Sequence, residues 1–242
     1  MLIKTRGIVL RTIKYGETSM IVEIYTEQKG LRKYIVSGVR SKKARVHASL
    51  LQVMSLVEMV AYAREDRELN HIKEIKAAHV YQSVPFDVRK GAIALFMAEV
   101  IRKTIRESEE NLELFDFLFH IFQHLDETKL AVNNLHLYFL LELSAFLGFV
   151  PGGECCEATP LFDLQEGIFI SATPGHRHYL DEELSAILMA FLHTNPEACH
   201  EVSINTAQRR TLLKYLLDYY RLHIDYLPDI HAHEILQEVL SS

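Results

Sequence analysis

The feature that most constrains this chain is a change of period. Over the first 80 residues the apolar positions come in short runs that alternate with polar ones, as half-buried strands do. Residues 7–15 alternate loosely and stop at Gly16-Glu17-Thr18, and residues 20–26 are β-branched and aromatic. A polar turn ending in Gly30 follows. Residues 31–39 put Leu31, Lys33 and Ile35 on one side and Arg32, Tyr34 and Val36 on the other. Neither side is purely apolar, which predicts one wet face. Residues 50–63 read as a long strand, residues 64–69 as a charged turn and residues 71–80 as a fifth strand. Five short strands without a long helix predict a small barrel.

From Pro85 onward the apolar residues recur at helical spacing. Residues 86–106 carry Ile93, Phe96, Met97, Val100 and Ile101, and residues 111–125 carry Leu114, Phe115, Leu118, Phe119 and Phe122. A third helix is predicted over residues 130–149, stopped by Pro151-Gly152-Gly153. These stripes are broad enough for burial on more than one side. Residues 150–180 are irregular, with a hairpin expected at 162–170. Two further helices are expected over 181–193 and 205–223, the latter with Asn205 as N-cap, and a short one over 231–240. The chain therefore reads as α+β: a barrel over residues 1–80 and an α-helical domain over residues 81–242 with an irregular loop at 150–180. No flexible linker separates the two, so they are expected to pack together.

Charge follows the same division. Residues 1–45 hold eleven lysines and arginines against three acids, a net +8, whereas the whole chain is −6, so residues 46–242 sum to −14. A basic β-rich segment on an acidic remainder points to an anionic partner at one end of the molecule. The N-terminus has no apolar signal-peptide core, and the most apolar later stretch, residues 137–150, is short and carries Glu142, so no membrane span is expected. Three cysteines, Cys155, Cys156 and Cys199, make no disulfide framework. These features predict a soluble cytoplasmic protein. Phosphate-loop, nucleophile-elbow, zincin and dinucleotide-binding motifs are all missing from the sequence. That agrees with a protein that binds rather than catalyses.

The N-terminal segment resembles the RecO family of bacterial recombination mediators. The resemblance rests on Gly7-Ile8-Val9-Leu10, on Tyr15-Gly16-Glu17 with a second strand ending in Tyr25-Thr26, on Gly30, and on Ser37-Gly38-Val39-Arg40. The later part agrees in kind, with a break after Gly148-Phe149-Val150-Pro151 and a late helix reading LLKYLLDYYRLHI. The resemblance implies an N-terminal OB-fold, a helical C-terminal domain, binding of single- and double-stranded DNA, and strand annealing. Its implied partners are a RecR-type ring protein and single-stranded DNA-binding protein. Many members of the family carry two C-x-x-C pairs that hold zinc after the third helix. Here Cys155 and Cys156 are adjacent and the second pair is absent. His176 and His178 could substitute, but four ligands cannot be named. No cofactor is therefore expected, and Phe162, Ile168 and Phe169 are expected to hold the loop by packing.

Within that frame the candidate DNA-binding residues are Arg6, Arg11, Lys14, Arg32, Lys33, Arg40, Lys42, Lys43 and Arg45, with Tyr34 as a base-stacking ring. The plain alternative is a solvated basic face with Tyr34 in the barrel wall. Thirteen histidines are scattered, and the pairs His120/His124, His176/His178 and His231/His233 lack a third partner at catalytic spacing. Arg102, Lys103 and Arg106 could rim a groove for the acidic tail of a single-strand-binding partner. Two other functions remain open: a protein–protein adaptor without DNA contact, and a metal-dependent enzyme built on the histidine-rich loop.

Overall fold

A computed structural model describes residues 1–39, 46–62, 68–106 and 109–241. Five strands, β1 (Leu2–Tyr15), β2 (Ser19–Thr26), β3 (Gly30–Val36), β4 (Leu56–Tyr62) and β5 (Leu69–Ala77), close a barrel in the order β1-β2-β3-β5-β4. β3 and β5 pair in parallel and the other neighbours are antiparallel, the topology of an OB-fold. Among the described residues six helices follow: α1 (Val88–Thr104), α2 (Leu112–Glu127), α3 (Leu135–Phe146), α4 (Glu182–Leu192), α5 (Thr206–His223) and α6 (Ala232–Val239). The α+β class predicted from the change of period is the observed one.

The barrel core collects inward side chains from every wall, among them Val9, Val22, Ile24, Tyr34, Val36, Val57 and Met59. Gly7 is required by the close approach of β2, because a Cβ there would stand 2.5 Å from Ile24 Cγ2. Two strand expectations are corrected. β1 begins at Leu2 rather than at residue 7, and its pairing with β2 is offset between Val9 and Arg11. That offset breaks the alternation on which a periodicity reading depends. Residues 50–63 are not one strand: a 3-10 turn spans Ala48–Leu51, Met54 adopts a left-handed φ of 76°, and β4 starts only at Leu56.

The chain forms two compact units. The first comprises Met1–Asp87 and Ala94–Glu127, and the second comprises Val88–Ile93 and Thr128–Ser242. In the first unit α2 lies on the barrel's outer wall. Tyr25, opposite Ile8 in the β1–β2 ladder, stands 6.1 Å ring to ring from Phe115. Asn111 caps α2 by accepting the Leu114 N–H at 3.0 Å. At the other end the buried Asp126 accepts N–H bonds from Gln82, Ser83 and Val84 at 2.8–3.0 Å, and faces His79 Nε2 at 2.9 Å. That carboxylate ties the segment leaving the barrel to the end of α2.

In the second unit α3 starts five residues later than the apolar run suggested, and nine of its twelve residues are buried. A small sheet ordered β7-β6-β8 forms from β6 (Leu161–Asp163), β7 (Ile168–Ile170) and β8 (Tyr179–Leu180). β6 and β7 are the expected hairpin. Phe162 and Phe169 pack edge to face at 5.0 Å, with Tyr219 beside Phe162, whereas Ile168 faces out at 45% exposure. The small core of this segment is thus aromatic and excludes Ile168. Asp181 caps α4, and Asn205 opens α5 in a reciprocal capping box with Gln208. Leu212, Leu213, Leu216, Leu217 and Tyr220 are all buried, as their spacing required.

Candidate nucleic-acid interface

The ladder between β1, β2 and β3 sets where each candidate side chain points. Arg11 stands opposite Glu23, and Glu23 opposite Lys33, so the three share the barrel's outer face. Arg11 approaches Glu23 at 3.6 Å, and Lys33 pairs with Glu68 at 2.7 Å. That face is a ladder of alternating charge with the two cations on its solvent side. The Glu68 carboxylate raises the Lys33 ammonium above its ordinary value, keeping it protonated at neutral pH. Lys14 lies opposite Met20 near the end of β1, exposed and without an ion-pair partner among the described residues. Arg32 lies opposite Ile24 and is half-buried, so it points to the other side of β3 from Lys33.

Two candidates are placed elsewhere. Tyr34 is 2% exposed inside the barrel core, where burial pushes its phenol up to about 12. It cannot stack on a base, which corrects the expectation of a stacking ring. The alternation of β3 that puts Lys33 in solvent turns Tyr34 inward, opposite Val22. Arg6 is held in the α2 contact. Its guanidinium bonds Glu27 and Asp116 at 2.8 Å each and lies 5.2 and 5.1 Å from the Phe115 and Phe119 ring centres. A phosphate would have to compete with two carboxylates already in place. Arg40, Lys42, Lys43 and Arg45 lie outside the described residues. The structure therefore brings Arg11 and Lys33 onto one face, with Lys14 further along β1, and separates Arg32, Tyr34 and Arg6 from them.

The suggested rim on α1 is also changed. Lys103 has only 9% of its side chain exposed and pairs with Glu99 at 2.6 Å. In the loop segment Cys156 Sγ bonds Thr159 Oγ1 at 3.2 Å, and His176 Nε2 faces Asp163 at 3.3 Å. Hydrogen bonds from Thr159 and the local backbone lower the Cys156 thiol, while burial raises that of Cys155. Among the described residues no group of three or more His, Cys, Asp or Glu side chains is placed to hold a metal ion. Periodicity also passed over a second cationic surface, on α5, whose Arg210, Lys214 and Arg221 recur on one helical face.

Comparison with known proteins bears on all of this. The family description "Recombination protein O N terminal" matches residues 1–81, and "Recombination protein O C terminal" matches residues 85–228. The chain belongs to the RecO family. Its barrel is the OB-fold of that family, followed by the family's helical domain. A DNA repair protein RecO of Bacteroides fragilis is 39% identical over 240 residues, covering 99% of each chain. One of Phocaeicola vulgatus is 36% identical over 241 residues, covering 100% of each. One of Porphyromonas gingivalis is 29% identical over 242 residues, covering 98% of each. Among the described residues of this RecO-family chain, no helix is long and apolar enough to cross a membrane.

Proposed function

We propose that this RecO-family protein serves DNA repair and recombination as a binding protein without chemistry of its own. It holds single strands on the basic outer face of its barrel, anneals complementary strands and assists recombinase loading. The observation that carries this reading is the net +8 of residues 1–45 on an OB-fold, in a chain whose remainder sums to −14. Cations on β1 and β3 exchange condensed counterions for phosphates, a term blind to sequence. Two polyanions can then approach over one neutralising surface, which is a physical route to annealing. The partners in this reading are single- and double-stranded DNA, a RecR-type ring protein and single-stranded DNA-binding protein, in the cytoplasm.

Fluorescence anisotropy of a labelled single-stranded oligonucleotide, titrated across salt, tests the reading. Binding should weaken steeply, with a logarithmic slope of roughly 0.7 per phosphate contact. Changing Lys42, Lys43 and Arg45 together to Glu should lower the affinity; unchanged binding would remove that segment from the DNA surface. One observation favours the adaptor reading instead: Arg6, Arg11 and Lys33 already have carboxylate partners within the fold. Retained binding of a protein partner with no oligonucleotide binding at low salt would decide for the adaptor.

A further inference from the structure

The α5 face forms one wall of a cleft of about 900 Å³ in the second unit. Arg210, Lys214 and Arg221 sit at i, i+4 and i+11, on one side of the helix and strung over about 16 Å of its axis. Arg177 and His178, just before β8, line the same cleft, and the half-buried ring of Tyr215 lies among the cations. The acid that lines it, Asp218, is paired with Arg221 at 2.9 Å, and Asp229 approaches the same guanidinium at 3.8 Å, so the cations left to a ligand are Arg177, Arg210 and Lys214. Arg210 is held by the Gln237 carbonyl at 3.5 Å and by the Ser241 hydroxyl. Arg177 and Lys214 are exposed and have no ion-pair partner among the described residues. This surplus of cations stands in the part of the chain that is acidic overall.

We infer that this cleft is a second binding site for single-stranded DNA, separate from the barrel. The inference rests on the DNA-binding reading above and adds a second strand to it. Charge complementarity selects a polyanion. The cations are strung along a helix rather than converging on one point, which suits the repeating phosphates of an extended strand better than a single carboxylate terminus. Tyr215 among them offers a ring for base stacking, and backbone neutralisation with an aromatic platform is how single strands are held without sequence preference. A molecule with two such sites holds two strands at once, so annealing needs no second copy of the protein.

The experiment uses the full chain, a short labelled oligothymidylate, and three proteins: wild type, a cleft variant (R177Q/K214Q) and a barrel variant (R11Q/K14Q). Both cleft residues are exposed, circular dichroism checks folding, and R177K/K214R should restore binding. Wild type should saturate with two oligonucleotides; at the same concentrations each variant should fill one site, and the residual weak binding to the cleft of R177Q/K214Q should show a salt slope lower by about 1.4, roughly 0.7 for each lost contact. If the cleft variant keeps wild-type stoichiometry and slope while the barrel variant loses a strand, the second site is wrong and the barrel reading stands. If wild type binds no oligonucleotide, both fall. If an aspartate-rich peptide binds wild type but not the cleft variant, and oligonucleotide stoichiometry is the same in both, the cleft belongs to a protein partner and the inference is overturned.

Discussion

Arg6 and Tyr34 show how a residue's role depends on the side of the strand it occupies. Both fall in the basic, aromatic N-terminal segment, and both face protein rather than the β1–β3 outer surface. Tyr34→Phe should leave oligonucleotide affinity unchanged, measured by anisotropy, because the ring is 2% exposed. A loss of ten-fold or more would mean that the barrel opens on binding. Arg6→Gln should instead lower stability by about 1–2 kcal/mol in urea titrations, since it removes a bidentate pair to Glu27, a bond to Asp116 and two cation–ring contacts. The pH dependence has a definite sign. The Arg6 guanidinium holds the Glu27 carboxyl below its ordinary 4.5, so this pair contributes fully above that pH and its contribution is lost as pH falls through the lower folded value. In Arg6→Gln that part of the acid sensitivity should disappear.

At the scale of elements, α2 depends on Asp126 for its attachment to the segment that leaves the barrel. Burial alone would raise this carboxyl, but the N–H donors of Val84, Gln82 and Ser83, with His79, override it and hold it well below its ordinary 3.8. Asp126→Asn keeps the shape but presents one acceptor oxygen where two were used, leaving buried N–H groups unpaired. It should cost about 2–3 kcal/mol at pH 7, read from urea midpoints. The carboxylate's contribution is fully present above its ordinary 3.8 and is lost progressively as pH falls from there toward the much lower folded value, so the gap between wild type and variant should start to narrow near pH 3.8 and go on narrowing with further acidification. Nothing in the sequence marks Asp126, because a polar residue at the end of an apolar stripe looks like an ordinary helix terminus. The elements themselves were largely legible, since strand and helix differ in period, and Asn205 marked the start of α5. What escaped was the offset after Val9 and the left-handed Met54, local departures from the period that a pattern cannot carry. The candidate site was half legible: the charge excess stands in the sequence, but which cations share a face depends on register.

At the scale of the molecule, the period change near Pro85 and the compact units divide the chain differently. The family descriptions meet between residues 81 and 85, yet Ala94–Glu127 belongs with the barrel. The reason lies on the barrel's outer wall. Ile8 and Tyr25 face each other across β1 and β2 and are 0% and 2% exposed, although the barrel interior lies on the other side of the ladder. Phe115 of α2 stands against Tyr25, and Arg6 reaches past it to Asp116. A fragment of residues 1–81 would leave this apolar wall in water. Exposing two large side chains costs roughly 3–6 kcal/mol, a sum comparable to the whole stability of a small domain. Residues 1–127 keep the wall covered and keep the Asp126 bonds to residues 82–84. We therefore expect the longer fragment to melt cooperatively by circular dichroism and the shorter one to show no cooperative transition, or one at least 15 °C lower, about 4–8 °C for each kcal/mol in a domain of this size. Equal melting of the two would mean that α2 is a passenger on a self-sufficient barrel.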